Sequence, residues 1–357
     1  MKVPDVEGAE ARKKDHIRIA LTSNVVPERF KNQFDEVVLV HEALPAIGID
    51  DVSTSTLVFG KKLEAPIIVG AMTGGAPGTD VINGNIAEAV EEAGLGMGVG
   101  SQRAAVMESS LEYTFRVIRR KAPNALVLAN LGASNVRKMS SADLKRAVEM
   151  VEADALEIHL NMLQELLQPE GEPDFEGLEE MLDGICDEVG VPVLIKETGS
   201  GISRDTALRL NSKRLAGFDV GGAGGTSFAL IEGKRRTDSM ADAFSDWGIP
   251  TVASIMEIRS VSDKLIVASG GLRNGVDAAK SIAIGANLVS FARPLLRPAA
   301  KSSQDVKGFL DQVKLQLRMT MVLTNSRDIK ALMKTPYVLF GNMKAWAEQR
   351  GLVPRTR

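Results

Sequence analysis

The chain has 357 residues, 43 basic and 46 acidic, giving a formal charge of −3, with 44% apolar and 25% charged side chains; this is the composition of a globular protein, not of a disordered or collagen-like chain. Near-balanced charge excludes a sequence-independent grip on a nucleic-acid backbone, and 4% aromatics leave little surface for stacking bases. The lone Cys186 excludes a disulfide framework and any multi-cysteine metal or iron–sulfur site.

In chain order, residues 1–64 precede any repeating unit and are expected to form an N-terminal extension. It holds a helix near 12–21 and short β segments in DEVVLVHEAL and STSTLVFG that cap the repeating units. The opening MKVPDVEGAEARKKDH has no apolar core of signal-peptide length, and no later apolar run would span a bilayer. The expectation is a cytoplasmic protein with no membrane or nucleic-acid partner. From residue 65, eight short β-branched or apolar runs recur: APIIVGA (65–71), GLGMGVG (94–100), ALVLAN (125–130), ALEIHL (155–160), VPVLIK (191–196), GFDVGG (217–222), KLIVAS (264–269) and ANLVSF (286–291). Between them, apolar residues at three- and four-residue spacing, as in INGNIAEAVEEA and VDAAKSIAIG, mark helices. Apolar strands alternating with helices imply a parallel sheet covered by helices, and eight units favour closure into an α/β, (β/α)₈ barrel over residues 65–357. After residue 291 only helical pattern is visible. LLQPEGEPD (166–174) and EGKRRTDSM (232–240) are expected as loops on the face where barrel loops carry function.

Polar residues collect where strands end, and those ends open onto one shared pocket. They are Met72-Thr73-Gly74-Gly75, Ser101-Gln102-Arg103, Asn130, His159 with Asn161, Gln164 and Glu165, Lys196-Glu197, Thr226, Gly270-Gly271-Leu272-Arg273, and Ala292-Arg293. GGAGGTS (221–227) and SGGLRNG (269–275) let backbone approach an anion closely, and the helix following the second adds a favourable dipole. The loops after strands seven and eight are the usual phosphate site of such barrels. A second anion site is indicated by Arg12, Lys13 and His16 together with GSQR, where Arg103 starts a helix and meets its positive end. Two anion sites in one pocket imply a phosphorylated cofactor beside a phosphorylated substrate. His159 and Asn161 share one side of their strand end by the two-residue period. A carboxylate such as Glu165 beside a diphosphate suits Mg²⁺, and Lys196 at the end of an apolar strand needs a negative partner.

The set RKKDH, MTGG, GSQR, HLNMLQE, IKETGSG, DVGGAGGTSFA and ASGGLRNG, in order from about residue 12 to 294, resembles the type 2 isopentenyl-diphosphate isomerases. The resemblance implies FMN-dependent interconversion of isopentenyl and dimethylallyl diphosphates, with Mg²⁺ and with NADPH as the usual reductant of the flavin. It implies that Ala71, Met72 and Thr73 lie against the flavin, bordered by Ser101 and Asn130, with Lys196 at the pyrimidine edge. Thr226, Gly271, Leu272, Arg273, Ala292 and Arg293 would hold the FMN phosphate and ribityl chain. Arg12, Lys13, Ser101, Gln102, Arg103, His159, Asn161 and Gln164 would bind substrate, and Glu165 would hold Mg²⁺. Lys196, His159 and Gln164 are expected nearest the chemistry, with reduced flavin as the acid–base group. The family also implies a homo-oligomer, a tetramer or an octamer. Other FMN barrels are the alternative, but a 2-hydroxy-acid oxidase wants a histidine base after strand seven, and His159 follows strand four. A dihydroorotate-type dehydrogenase wants a loop cysteine or serine base, and Cys186 falls in a helical pattern. A non-catalytic flavin sensor would leave His159, Gln164 and Glu165 no reason to cluster.

Overall fold

The computed structural model describes residues 6–30 and 33–352; the first five residues of the N-terminal extension lie outside it. Eight strands close into one barrel: β1 (Ile67–Val69), β2 (Gly96–Gly98), β3 (Leu126–Gly132), β4 (Ala155–Leu160), β5 (Val193–Glu197), β6 (Gly217–Asp219), β7 (Leu265–Ala268) and β8 (Leu288–Phe291). All neighbours are parallel, and β8 closes on β1 with Val289 opposite Ile67. Each strand falls on its expected run. The runs are short, apolar and mostly fully buried, as strands covered by helices outside and packed side chains inside must be.

The helices follow the same logic. Thr79–Ala93 buries Ile86, Ala87 and Val90 on one face and stops at Gly94, whose φ of +65° is a left-handed helix ending. At the N-terminal end of the barrel, the hairpin of Thr56–Val58 with Lys61–Leu63 inserts Val58 and Leu63 among Ile68, Leu126, Leu128, Leu194, Val267 and Leu288. Burying each such side chain stabilises the fold by about 1.5–3 kcal/mol. This apolar plug closes the end opposite the polar residues.

Two expectations are corrected here. The region after residue 291 is not purely helical: Tyr337–Leu339 pairs antiparallel with Val37–Leu39, tying the extension to the C-terminal helices Ser303–Leu323 and Gly341–Arg350. A three-residue strand between helices is too short to show a period of two. Residues 232–240 are not one loop either, because Glu232–Arg235 complete the helix Phe228–Arg235.

Candidate active site

The C-terminal strand ends open into a cavity of about 1600 Å³ that the N-terminal helix Val6–Thr22 also lines. Every site residue expected from sequence lines it except Gln102. The Gln102 side chain is fully buried beneath the rim. Its Nε2 donates to Ala147 O at 2.7 Å and its Oε1 accepts from Asn130 N at 3.0 Å, so it braces β3 rather than meeting a ligand.

The two glycine segments interlock through backbone alone. A Cβ on Gly271 (φ +86°) would lie 2.5 Å from Gly224 O, and one on Gly225 would lie 2.6 Å from Gly271 N. Only glycine permits this approach, and the result is a shallow bed beside Thr226, Ser290, Ala292 and Arg293. The helix Gly275–Ile284 does not contribute its N-terminus as expected, because Asn274 caps it, accepting from Val276 N and Asp277 N at 2.9 Å each. Arg273 is likewise committed elsewhere: its guanidinium meets Asp35 at 3.1 Å and Asp277 at 3.3 Å, and its amide donates to Asp277. Among the described residues, Arg293 and Arg297 make no ion pair and reach the carbonyls of Ala20, Ser23 and Leu21. Burial, with the charge of Arg297 added, holds Arg293 below its usual pKa. An anion on the glycine bed would relieve that.

Under the opposite part of the cavity lies a buried charge cluster. Lys196 on β5 contacts Asp219 on β6, which is its register partner, and Glu157 on β4 at 3.3 Å. Burial alone would lower the Lys196 pKa, but the charges of Asp219 and Glu157 outweigh it and hold the ammonium on. Burial pushes Glu157 above the usual carboxylate range, with Lys196 opposing. Ser269 Oγ donates to Asp219. His159 Nδ1 lies 2.7 Å from Asn130 Oδ1, and its pKa is lowered to about 4 by burial first and by Lys196 second, so the ring is neutral. Glu197 sits in a nest formed by the amides of Gly199, Ser200 and Gly201, yet burial raises it to about 7.

Cations gather at the mouth. Lys13 donates to Gly74 O and is lowered to about 8 by burial first and by Arg12 second. Arg103 makes no ion pair among the described residues, whereas Arg12 faces Glu170 at 3.8 Å. His16 contacts the fully buried Glu232 at 2.8 Å, which also takes Arg235. Glu165 accepts from Asn161 Nδ2 at 2.8 Å, from Gln168 Nε2 and from Glu172 N. Among the described residues, the buried side-chain atoms with no hydrogen-bond partner are Thr73 Oγ1, Asn161 Oδ1 and Arg235 Nε, and all three residues line this cavity. Buried polar atoms are nearly always satisfied, so a bound ligand is the natural partner.

Sequence reasoning missed Glu157, Asp219 and Ser269, which lie under the strand ends, and Glu232 and Arg235, which lie in a supposed loop. Glu157 and Asp219 were visible as charges inside apolar runs, Glu157 two residues before His159.

Residues 180–338 match the FMN-dependent dehydrogenase family. The isopentenyl-diphosphate delta-isomerase of Sulfurisphaera tokodaii is 44% identical over 351 residues, 96% of this chain and 94% of that protein. The enzyme of the same name from Archaeoglobus fulgidus is 44% identical over 344 residues, 95% and 99% of the two chains. Among solved structures, a mandelate oxidase variant with a monooxide FMN adduct matches with a TM-score of 0.68 at 19% identity, over 94% of this chain and 100% of that one. A lactate oxidase from Pediococcus acidilactici matches with a TM-score of 0.66 at 15% identity, over 96% of each. The oxidases share the barrel, but at that identity the likeness extends to the fold alone. The relatives decide between the FMN barrels, and the chain belongs to the FMN-dependent, type 2 family of isopentenyl-diphosphate delta-isomerases.

Proposed function

We propose that this chain interconverts isopentenyl diphosphate and dimethylallyl diphosphate, with FMN on the glycine bed and Mg²⁺ on the substrate diphosphate. The observation that carries the reading is two sets of cations that make no ion pair among the described residues and line one cavity: Arg293 and Arg297 at the bed, Lys13 and Arg103 at the mouth. Two anions bound side by side explain both. FMN fits the bed because its phosphate would neutralise Arg293 and the orphaned Thr73 Oγ1 offers a polar contact to the ring system. Mg²⁺ fits Glu165 with Asn161 Oδ1 as a hard ion that takes one or two protein oxygens and completes its shell from phosphate and water.

Reduced FMN, when bound, supplies an acid–base nitrogen at its N5 position, and NADPH is the reductant in this reading. The protein supplies position and field. Lys196 would present a fixed positive charge to the flavin's pyrimidine edge, and His159, neutral and half-buried, would add a polar contact without a competing charge. Gln164 lines the same wall and contacts the isoprenoid. Lys13, Arg12 and Arg103 orient the diphosphate, so the alkene is held rather than pushed.

The direct test is isomerisation of isopentenyl diphosphate by the protein reduced with NADPH or dithionite, before and after FMN removal. Activity that depends on FMN supports the reading, and full activity in flavin-free protein overturns it. Glu165→Gln is expected to weaken the Mg²⁺ requirement and raise KM for the diphosphate, with FMN affinity retained. Arg103→Ala should cost about 2–5 kcal/mol of substrate binding; release of FMN by either change would contradict two separate anion sites.

Lys13 gives a pH signature. Its charged form, which grips the diphosphate, is lost as pH rises through about 8. We therefore expect kcat/KM to fall above pH 8 while kcat changes little, and Lys13→Arg to remove that inflection. A flat kcat/KM profile from pH 7 to 9 in the wild type would rule it out.

Assembly and compartment belong to the same proposal: a cytoplasmic homo-oligomer, a tetramer or an octamer. Its support is an apolar face on the small two-stranded sheet, where Val38, Val40, Val338 and Phe340 are each 45–53% exposed. A monomer by light scattering at micromolar concentration would refute the assembly.

A further inference from the structure

A continuous chain of polar contacts runs beneath the cavity across five neighbouring strand ends. His159 Nδ1 meets Asn130 Oδ1 at 2.7 Å, Asn130 Nδ2 donates to Glu157 Oε2 at 3.3 Å, and Glu157 lies 3.3 Å from Lys196 Nζ. Lys196 then donates to Asp219, and Ser269 donates to the other oxygen of Asp219. Glu157 and Asp219 are both fully buried.

The order of donors along this chain is set by chemistry. The Asn130 amide turns its NH₂ to Glu157 Oε2, which accepts, and its oxygen to His159 Nδ1. An amide oxygen only accepts, so the proton on His159 is at Nδ1. With Nδ1 held on the amide, Nε2 is the ring nitrogen left over on a residue that lines the cavity. Glu157 is the one residue of the chain that touches both the amide orienting His159 and the ammonium of Lys196. Asp219 touches Lys196 alone of the two.

We propose that Glu157 is a positioning residue joining the two halves of the site: through Asn130 it fixes His159 as the Nδ1–H tautomer, and through Lys196 it sets the charge presented to the flavin. The second half rests on the reading that FMN occupies this cavity; the first half does not. Charge and orientation are thereby governed from one buried carboxylate that touches neither ligand.

The test uses the full FMN-loaded protein labelled with ring-¹⁵N histidine, which has only His16, His41 and His159 to assign, together with the flavin midpoint potential. In the wild type, His159 is expected to show a protonated Nδ1 and an unprotonated Nε2. Glu157→Gln lets the new amide donate to Asn130, which can then flip. The His159 signals should move toward the other tautomer or a mixture, and the potential should rise because a negative charge beside Lys196 is gone. Asp219→Asn should raise the potential but leave the tautomer as in the wild type. Asn130→Ala should free the tautomer with little change in potential, and it carries the test if Glu157→Gln does not fold. Wild-type His159 signals in Glu157→Gln or in Asn130→Ala would overturn the proposal, as would an equal tautomer shift in Asp219→Asn. An unchanged potential in Glu157→Gln would overturn its flavin half. If the protein binds no FMN, the functional reading fails, and the histidine signals still decide the link from Glu157 to His159.

Discussion

Lys196→Ala is expected to slow isomerisation by the pre-reduced enzyme on the order of 10²–10³-fold, the usual loss when a preorganised charge is removed from a dry site. It should also unbalance the fold, because Glu157 and Asp219 are left buried without their cation. Breaking a buried pair from one side costs about 3–5 kcal/mol when the remaining charge stays ionised. The pH dependence comes from the sign of the shift. Glu157 is already pushed above its ordinary range by burial, and without Lys196 opposing it the shift grows. A carboxyl with a raised folded pKa contributes stability below its unfolded pKa and loses it as pH climbs through the folded value. The drop in Tm relative to the wild type should therefore be larger at pH 8 than at pH 5. An equal drop at both, or turnover within a few-fold of wild type, would remove Lys196 from the centre of the site.

Gly271→Ala should empty the protein of flavin while leaving the barrel folded. At φ +86° a side chain strains the backbone by about 1–2 kcal/mol, and the new Cβ lies 2.5 Å from Gly224 O, so the other glycine segment must move away. Each 1.4 kcal/mol lost at the bed is about tenfold in FMN affinity. Gly184→Ala serves as the control: it lies in the helix Leu178–Val189, where a Cβ meets nothing within 4 Å, and the change should stabilise by about 0.5–1 kcal/mol. Flavin content after gel filtration, with circular dichroism for folding, measures both. Stoichiometric FMN of wild-type affinity in Gly271→Ala would show that the interlock is not what shapes the bed.

The barrel is legible in the sequence because each of its strands is an apolar run bounded by glycine or polar residues. The strand Tyr337–Leu339 is not, since three residues between two helices carry no period, and only its distant partner Val37–Leu39 makes it a strand. The rim is legible by type and position: Arg12, Lys13, His159, Glu165, Lys196 and Arg293 all line one cavity. What each rim residue does there depends on its neighbours. Gln102 and Arg273 look like ligand contacts, but Gln102 is spent on the backbone of β3 and Arg273 on Asp35 and Asp277, the first of them far off in sequence. The buried carboxylates are the converse. Glu157 sits mid-strand, where a search of strand ends passes over it, and only the barrel's closure shows that its inward side meets Lys196.

The hairpin plug has a kinetic meaning beyond the stability of the barrel. Val58 and Leu63 fill the N-terminal end of the barrel, and Arg12, Lys13 and Arg103 line the cavity at its other end; on the function proposed above, cofactor, reductant and diphosphate would all pass that rim. Traffic through a single opening is sequential. On that proposal, a nicotinamide reducing the flavin would have to withdraw before the isoprenoid settled over the same ring, and a seated isoprenoid would shield the reduced ring from further visitors. An isomerisation that returns the flavin unchanged, as proposed, would let one such visit serve many turnovers. The closed floor would thus separate priming from catalysis in time, with no moving part required.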